Sequence, residues 1–429
     1  MFDAVFILLF AAVPIVVLYL LKLSGINYRT VNIPSIFTGY YFVFAYLGIL
    51  PLYYYWDEYR YLVGVTDRNI IILMFLYSSL SLLLIALSFL FLSKVIGMRV
   101  YHNSGVKYPL TNLTVFSVIS VVAVCCCVLL IYLSKVPGIP LFEVFTGDDF
   151  AKKHLRSEAT NNFTGHYYRY GLFFNSLLPF TTYILYSNAL VSNRRMPKLL
   201  FLIILPITVF STVMLTEKAP LVWLIMGMLF THFYTKGKAI KNKQIFIMIG
   251  FGLVLLIFMY MYFSGLKGRP FKVIIQSIAS RTFTGQISPA YFYLKYFPDL
   301  EPFLLGRSFP NPRGIFPFQH FRITVEIMNY MNPSLAGTGI VGSAPTVYWA
   351  EIYANFGYIA PFLFAFIVGF VLYLMHVLTS KLYPSPIKVA LISWLSIHLM
   401  KLAGTGISGY IMDIDLLAII VVGLMLIVI

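Results

Sequence analysis

Five cationic side chains, Lys218, Arg281, Arg307, Arg313 and Arg322, stand out in this 429-residue chain as a set that could do chemistry. The four arginines fall in one stretch rich in proline and aromatic residues, and Lys218 lies between two closely spaced apolar runs. Guanidinium forks match phosphate oxygens bidentately and stay charged at physiological pH. The set therefore fits a clamp on a lipid pyrophosphate, needed most as charge develops on the departing group. Taken singly, each arginine fits a lipid headgroup or a local acid equally well.

A second constellation is His320, Arg322 and Glu326. On a helix Arg322 and Glu326 would stand four apart on one face, as an ordinary ion pair. Beside a basic cluster, Glu326 or His320 would equally serve as the base that takes a proton from a sugar hydroxyl. Glu351 lies about two turns inside an apolar run, where an ionisable group is costly and either does chemistry or anchors a loop to a helix. Lys401, followed by Gly404-Thr405-Gly406, either pairs with Asp413 or Asp415 or lines the same polar groove. Asp413-Ile414-Asp415 has the spacing of a two-carboxylate metal motif, but one such triplet beside an apolar run carries little information. No His/Cys set has zinc spacing and no Gly-rich loop has nucleotide-binding context, so neither a metal nor another cofactor is expected. Cys125, Cys126 and Cys127 are adjacent in one apolar run; they would point in different directions on a helix and read as packing residues.

The elements that must position these groups are membrane spans. Hydrophobic residues make up 60% of the chain and charged residues 11%, a composition that suits lipid-facing helices and not a soluble domain of this size. Windows of about 20 apolar residues occur near 3–22, 34–56, 69–92, 112–133, 170–190, 198–216, 219–235, 244–265, 345–375, 387–403 and 410–428. The expectation is an all-α polytopic membrane protein with about 11 transmembrane helices, within a range of roughly 10 to 13. Its organisation is one integrated domain: spans 1 to 8 over 1–265 with a loop at 134–167, a large loop at 266–345, and spans 9 to 11 over 346–429. The run at 3–22 lacks a basic n-region and reads as a retained span.

With the N-terminus placed outside, the inner loops hold 14 of the 31 basic residues and none of the 15 acids. That asymmetry is the positive-inside pattern. It accounts for most of the +16 formal charge, so no nucleic-acid partner is expected. The loop 266–345 then faces outward with eight bases against three acids (Asp299, Glu301 and Glu326) and invites an anionic ligand. Its stretches 274–283 and 318–331 read as amphipathic interfacial helices. Its aromatic residues, among them Tyr291, Tyr293, Phe297 and Phe316, would either stack on sugars or dock the loop.

At these residues the sequence resembles the bacterial O-antigen polymerases, the Wzy-type oligosaccharide repeat-unit polymerases. The resemblance is clearest over roughly 265–360. It rests on the aromatic stretch leading to Leu304-Leu305-Gly306-Arg307-Ser308-Phe309, on Asn311-Pro312-Arg313-Gly314-Ile315-Phe316-Pro317, and on Gly342-Ser343-Ala344-Pro345 followed by Glu351-x-Tyr353-x-Asn355-Phe356-Gly357. Thr216-Glu217-Lys218 sits where the family often has a basic residue at a helix junction. The chain departs from the pattern at Ala350, where glycine is frequent, and at Gln319-His320, where a Lys-Pro pair is common.

The resemblance implies a GT-C-like, metal-independent glycosyltransferase in the bacterial inner membrane with its active site facing the periplasm. Such an enzyme moves a growing glycan from undecaprenyl pyrophosphate onto a second lipid-linked repeat unit, and a chain-length regulator protein is an implied partner. Glu326 or His320 would then be the base. Lys218, Arg281, Arg313 and Arg322 would hold the pyrophosphate, with Glu351 and Lys401 lining the substrate groove. An O-antigen ligase and a flippase or transporter of lipid-linked oligosaccharide are the alternatives of other kinds.

Overall fold

The computed structural model describes residues 2–98, 100, 105–146, 149–160, 162–163, 165–263, 268, 270–333 and 342–429. Of the charges placed by sequence, Arg99, Asp148, Lys267 and Arg269 lie outside the described residues. A segment crossing lipid must satisfy its backbone N–H and C=O groups internally, which leaves the helix as the solution for isolated apolar runs. The described residues accordingly form helices and connecting turns without strands. Among the described residues, nine helices are long and apolar enough to span a bilayer: Asp3–Leu23, Ile33–Tyr53, Arg68–Val95, Asn112–Leu133, Arg195–Val213, Asn242–Phe263, Ala360–Lys381, Pro386–Ala403 and Ser408–Val428. They mark the chain as a multi-pass membrane protein.

Two further expected spans fold as helices inside the bundle. The run 170–190 becomes Leu172–Leu177 continuing into Leu178–Val191, and 219–235 lies within Lys218–Lys236. Neither is apolar enough to span a bilayer alone, because a helix covered by other helices can carry polar side chains that a lipid-facing one cannot. Thr182 bonds Thr208 at 2.7 Å and Ser187 bonds Thr235 at 2.8 Å, joining these helices to their neighbours. Pro386–Ala403 is buried along nearly its whole length and forms the centre, whereas Asn242–Phe263 is exposed on most of its surface.

The ninth expected span, 345–375, is divided. Tyr348–Phe356 and Ala360–Lys381 are separate helices. Gly357, at φ 80° and ψ −161°, breaks them in a conformation that essentially only glycine adopts. Glu351 therefore sits in a short buried helix under the large loop and not inside a span. The two expected amphipathic helices form as Phe271–Ala279, followed by a π-turn at Ser280–Thr284, and as Ile323–Met331; residues 318–322 are not helical.

The bundle has two chemically distinct ends. At the loop end, the Tyr53 hydroxyl donates to Asp3 (2.8 Å), Arg156 pairs with Glu217 (2.9 Å) and the Ser408 N–H donates to Glu351 (3.1 Å). At the opposite, basic end, Val106 N–H donates to the Thr235 carbonyl (3.0 Å), Ile240 N–H to that of Arg29 (2.9 Å), and Lys388 Nζ to those of Ser380 and Leu382 (2.8 Å each). The large loop is packed onto the bundle. Tyr291, Tyr293 and Phe297 are fully buried, and Leu304 and Leu305 N–H donate to the carbonyls of Ala354 and Asn355 at 3.0 and 2.8 Å. These rings dock the loop. Phe316, stacked on Phe318, is exposed.

Arg68–Leu90 and Ala360–Lys381 pack along their length, with Gly369 at the contact: a Cβ there would lie 1.9 Å from Ser88 Oγ and 2.9 Å from the Ile85 carbonyl oxygen. Small residues let membrane helices approach in this way. Gly369→Leu is expected to destabilise the protein by about 1–3 kcal/mol, as overpacking does, and to lower its melting temperature in detergent. Gly250→Leu, on the outer helix where a Cβ meets nothing within 4 Å, is expected to leave it unchanged.

Candidate functional site

A cavity of about 770 Å³ lies at the loop end. Three elements distant in sequence supply its cations: Arg60 from the short helix Glu58–Leu62, Lys218 from the first turn of Lys218–Lys236, and Arg281 from the π-turn. Asp57 holds two of these elements together. One carboxylate oxygen caps the short helix by accepting from Arg60 N–H at 3.2 Å, and the other accepts from the Thr284 hydroxyl in the π-turn. Gly48 lets the turn lie flat on the helix below, since a Cβ there would fall 1.8 Å from the Phe283 carbonyl oxygen.

The electrostatics favour an anion. Arg60 is buried, and its Nε has no hydrogen-bond partner among the described residues. Burial draws its guanidinium below the ordinary range; Asp57 and Tyr59 oppose this, and the nearby Arg281 charge adds to it. It remains a cation at any physiological pH. Lys218 Nζ sits 3.7 Å above the Tyr260 ring, which fixes the ammonium against the wall. The lining acids are Asp57, engaged as described, and Glu58, exposed to solvent. Like charges held close, one with an unpaired buried donor, are relieved by an anion with several acceptor oxygens.

The chain matches no family model, no curated protein and no solved structure. The site's chemistry therefore rests on its own geometry.

Of the residues singled out from sequence, Lys218 and Arg281 meet in this cavity and the others do not line it. Arg313 lies on an exposed turn that Asn311 closes, its amide donating to the carbonyls of Phe316 (3.0 Å) and Phe318 (2.7 Å) while its oxygen accepts from Phe316 N–H (2.9 Å). Arg322 is exposed at the N-cap of Ile323–Met331, outside the helix. Its carbonyl accepts from Glu326 N–H at 3.1 Å, but the two side chains form no ion pair among the described residues. His320 is exposed, with Nε2 3.2 Å from the Ser308 carbonyl, and Glu326 is half-buried near Tyr296. Arg307 is paired with Glu301 at 2.9 Å.

Lys401 lines a second cavity of about 310 Å³ together with Asp415, its Nζ 5.7 Å from the Trp223 ring centre. It forms no ion pair with Asp413 among the described residues, because Asp413 is bonded to His398. Sequence reasoning passed over both Arg60 and His398. The signal for Arg60 was a base beside Asp57 and Glu58 in a short connection on the side that holds the acids; that for His398 was an ionisable side chain inside an apolar run.

Glu351 is a junction. Its Oε1 accepts from the Ser308 hydroxyl (2.7 Å) and its Oε2 from Ser408 N–H (3.1 Å), tying the large loop to the start of the last span. A Cβ on Gly406 would collide with this carboxylate. Burial raises its carboxyl above the ordinary 4.5, while the bonds from Ser308 and Ser408 oppose the rise. The folded chain thus holds this proton more tightly than the unfolded chain. The stability contributed by the group is complete below the unfolded range and declines as pH rises through the folded one. Glu351→Gln is expected to keep the fold and flatten that decline, so its melting temperature gains on the wild type as pH rises above the ordinary 4.5. Glu351→Ala strands both donors and is expected to cost about 1–3 kcal/mol. A wild-type slope in Glu351→Gln contradicts this account.

Proposed function

We propose that the chain is a glycosyltransferase of the outer leaflet that polymerises undecaprenyl-pyrophosphate-linked oligosaccharide repeat units into a surface polysaccharide. The observation that carries this reading is the cavity where Arg60, Lys218 and Arg281 converge, at the end of the bundle opposite the acid-free basic loops. A pyrophosphate that gains charge as its glycosidic bond breaks is stabilised by fixed cations already in place. Long apolar helices flank the cavity, and Tyr260 of the lipid-facing Asn242–Phe263 lines it, which suits a polyprenyl tail entering from the bilayer. In the reaction, a hydroxyl of the acceptor repeat unit attacks the anomeric carbon of the donor glycan, and the donor's polyprenyl pyrophosphate departs into the cation cluster.

The chemistry of the departing group favours transfer over transport, since a flippase moves its cargo without breaking the phosphate–sugar bond. A ligase breaks the same bond but hands the glycan to a different acceptor. In cells, loss of the chain is expected to leave surface lipid capped with single repeat units. Stripping of all glycan from that lipid indicates the ligase, and repeat units stranded inside indicate the flippase.

With purified protein and extracted lipid-linked repeat unit, Arg60→Ala, Arg281→Ala and Lys218→Ala are each expected to slow polymer formation on the order of 10²-fold at normal protein levels. Arg313→Ala, on its exposed turn, is expected to polymerise within about twofold of wild type, and full activity in the first three variants overturns the clamp.

A further inference from the structure

The second cavity adjoins the first across the start of the Lys218 helix: Lys218 lines one, while Glu217, Ala219 and Pro220 line the other. Successive residues of one helix turn thus line both cavities, and the two share that wall. At about 310 Å³ the second cavity is at the small end of ligand sites, which run from roughly 300 to 1,000 Å³. Its walls combine the Trp223 indole with Asn175, Ser176, Glu217, Lys401 and Asp415, a mixture of ring face and hydrogen-bonding groups suited to a polyhydroxylated ring.

His398 lines this cavity and is held on three sides. Its Nε2 is hydrogen-bonded to Asp413, Trp394 stacks on its ring at 4.5 Å with the planes 10° apart, and the Tyr410 hydroxyl donates to its carbonyl at 2.8 Å. Asp413 is fixed in turn, its other oxygen accepting from Leu416 N–H (2.9 Å) at the N-cap of the last helix. The His398 side chain is 14% exposed, and its Nδ1 has no hydrogen-bond partner among the described residues. A carboxylate on one ring nitrogen fixes the tautomer and leaves the other as a proton acceptor.

We propose that the second cavity receives the acceptor saccharide and that His398 Nδ1 takes the proton from its attacking hydroxyl. The proposal rests on the glycosyl-transfer reading above and supplies the base that neither His320 nor Glu326, which line neither cavity, is placed to be. The acceptor O–H bond breaks, its proton passing to Nδ1, and the oxygen forms a bond to the donor's anomeric carbon. The bond from that carbon to the pyrophosphate oxygen breaks, and its electron pair leaves on the pyrophosphate. The proton then passes from Nδ1 to solvent.

The test uses the full chain in nanodiscs and lipid-linked repeat unit extracted from cells lacking it. His398→Gln is expected to lower kcat about 10²-fold with KM unchanged, as for loss of a general base. Asp413→Asn is expected to lower kcat less, again at unchanged KM. His398→Ala leaves a gap at the cavity wall, and millimolar imidazole is expected to restore part of its turnover. A second measurement needs no variant: diethyl pyrocarbonate modification of His398 in the wild-type protein, read by mass spectrometry, is expected to slow when the repeat unit is bound. Wild-type kcat in His398→Gln, no rescue by imidazole, or modification of His398 that is absent or indifferent to substrate each overturns the proposal while leaving the polymerase reading intact. No polymer from the wild-type protein overturns both.

Discussion

The Asp57 carboxylate is the interaction on which the rest of the loop end depends. It accepts from Arg60 N–H with one oxygen and from the Thr284 hydroxyl with the other, and so joins a short connection between two early spans to a turn more than 200 residues later. Without that joint, Arg60 and Arg281 have no reason to share a cavity, since their charges repel. With it, the repulsion is built into the folded state and stands ready to be relieved by an anion. This is electrostatic preorganisation in the usual sense: the charges are in place before an anion arrives.

Lys218 completes the cluster through a different device. Thr216, a β-branched residue, is held at φ 56° just before the Lys218 helix begins. Such a conformation persists only where the surroundings enforce it. Here Thr216 is buried and the neighbouring Glu217 is paired with Arg156, so the turn is fixed from both sides. The result is a helix start that sends Lys218 into one cavity and Glu217 into the other. Two chemically different compartments meet at one residue step: cations on one side, and a His398–Asp413 pair with carboxylates and indole on the other.

Much of the fold was legible in the sequence, because the bilayer imposes one rule on every span. Runs of about 20 apolar residues had to be helices, and the charges between them had to collect at the ends. The rule weakened wherever protein replaced lipid as the surroundings. Leu178–Val191 and Lys218–Lys236 could keep threonines, a serine and a histidine because neighbouring helices cover them, and Gly357 could split an apolar run because its two halves pack in different places. The site was harder to read. Lys218 and Arg281 were identified from charge at a helix junction and in the large loop. Arg313 and Arg322 carried the same signal, yet Asn311 closes the first onto an exposed turn and the second ends up outside its helix. Arg60 and His398 depend on partners 221 and 15 positions away respectively, counting Arg281 and Asp413. Composition and spacing do not record such distances.

The central claim is that the cationic cavity opens on the outer side of the membrane and the acid-free basic end on the inner side. Cysteine accessibility tests it most directly. With Cys125, Cys126 and Cys127 replaced, single cysteines would be placed at Leu300, exposed at the loop end, and at Lys238, exposed at the basic end. A membrane-impermeant maleimide added to intact spheroplasts is predicted to label the Leu300→Cys protein and to reach the Lys238→Cys protein only after permeabilisation. The reverse pattern would put the cation cluster in the cytosol and contradict the account.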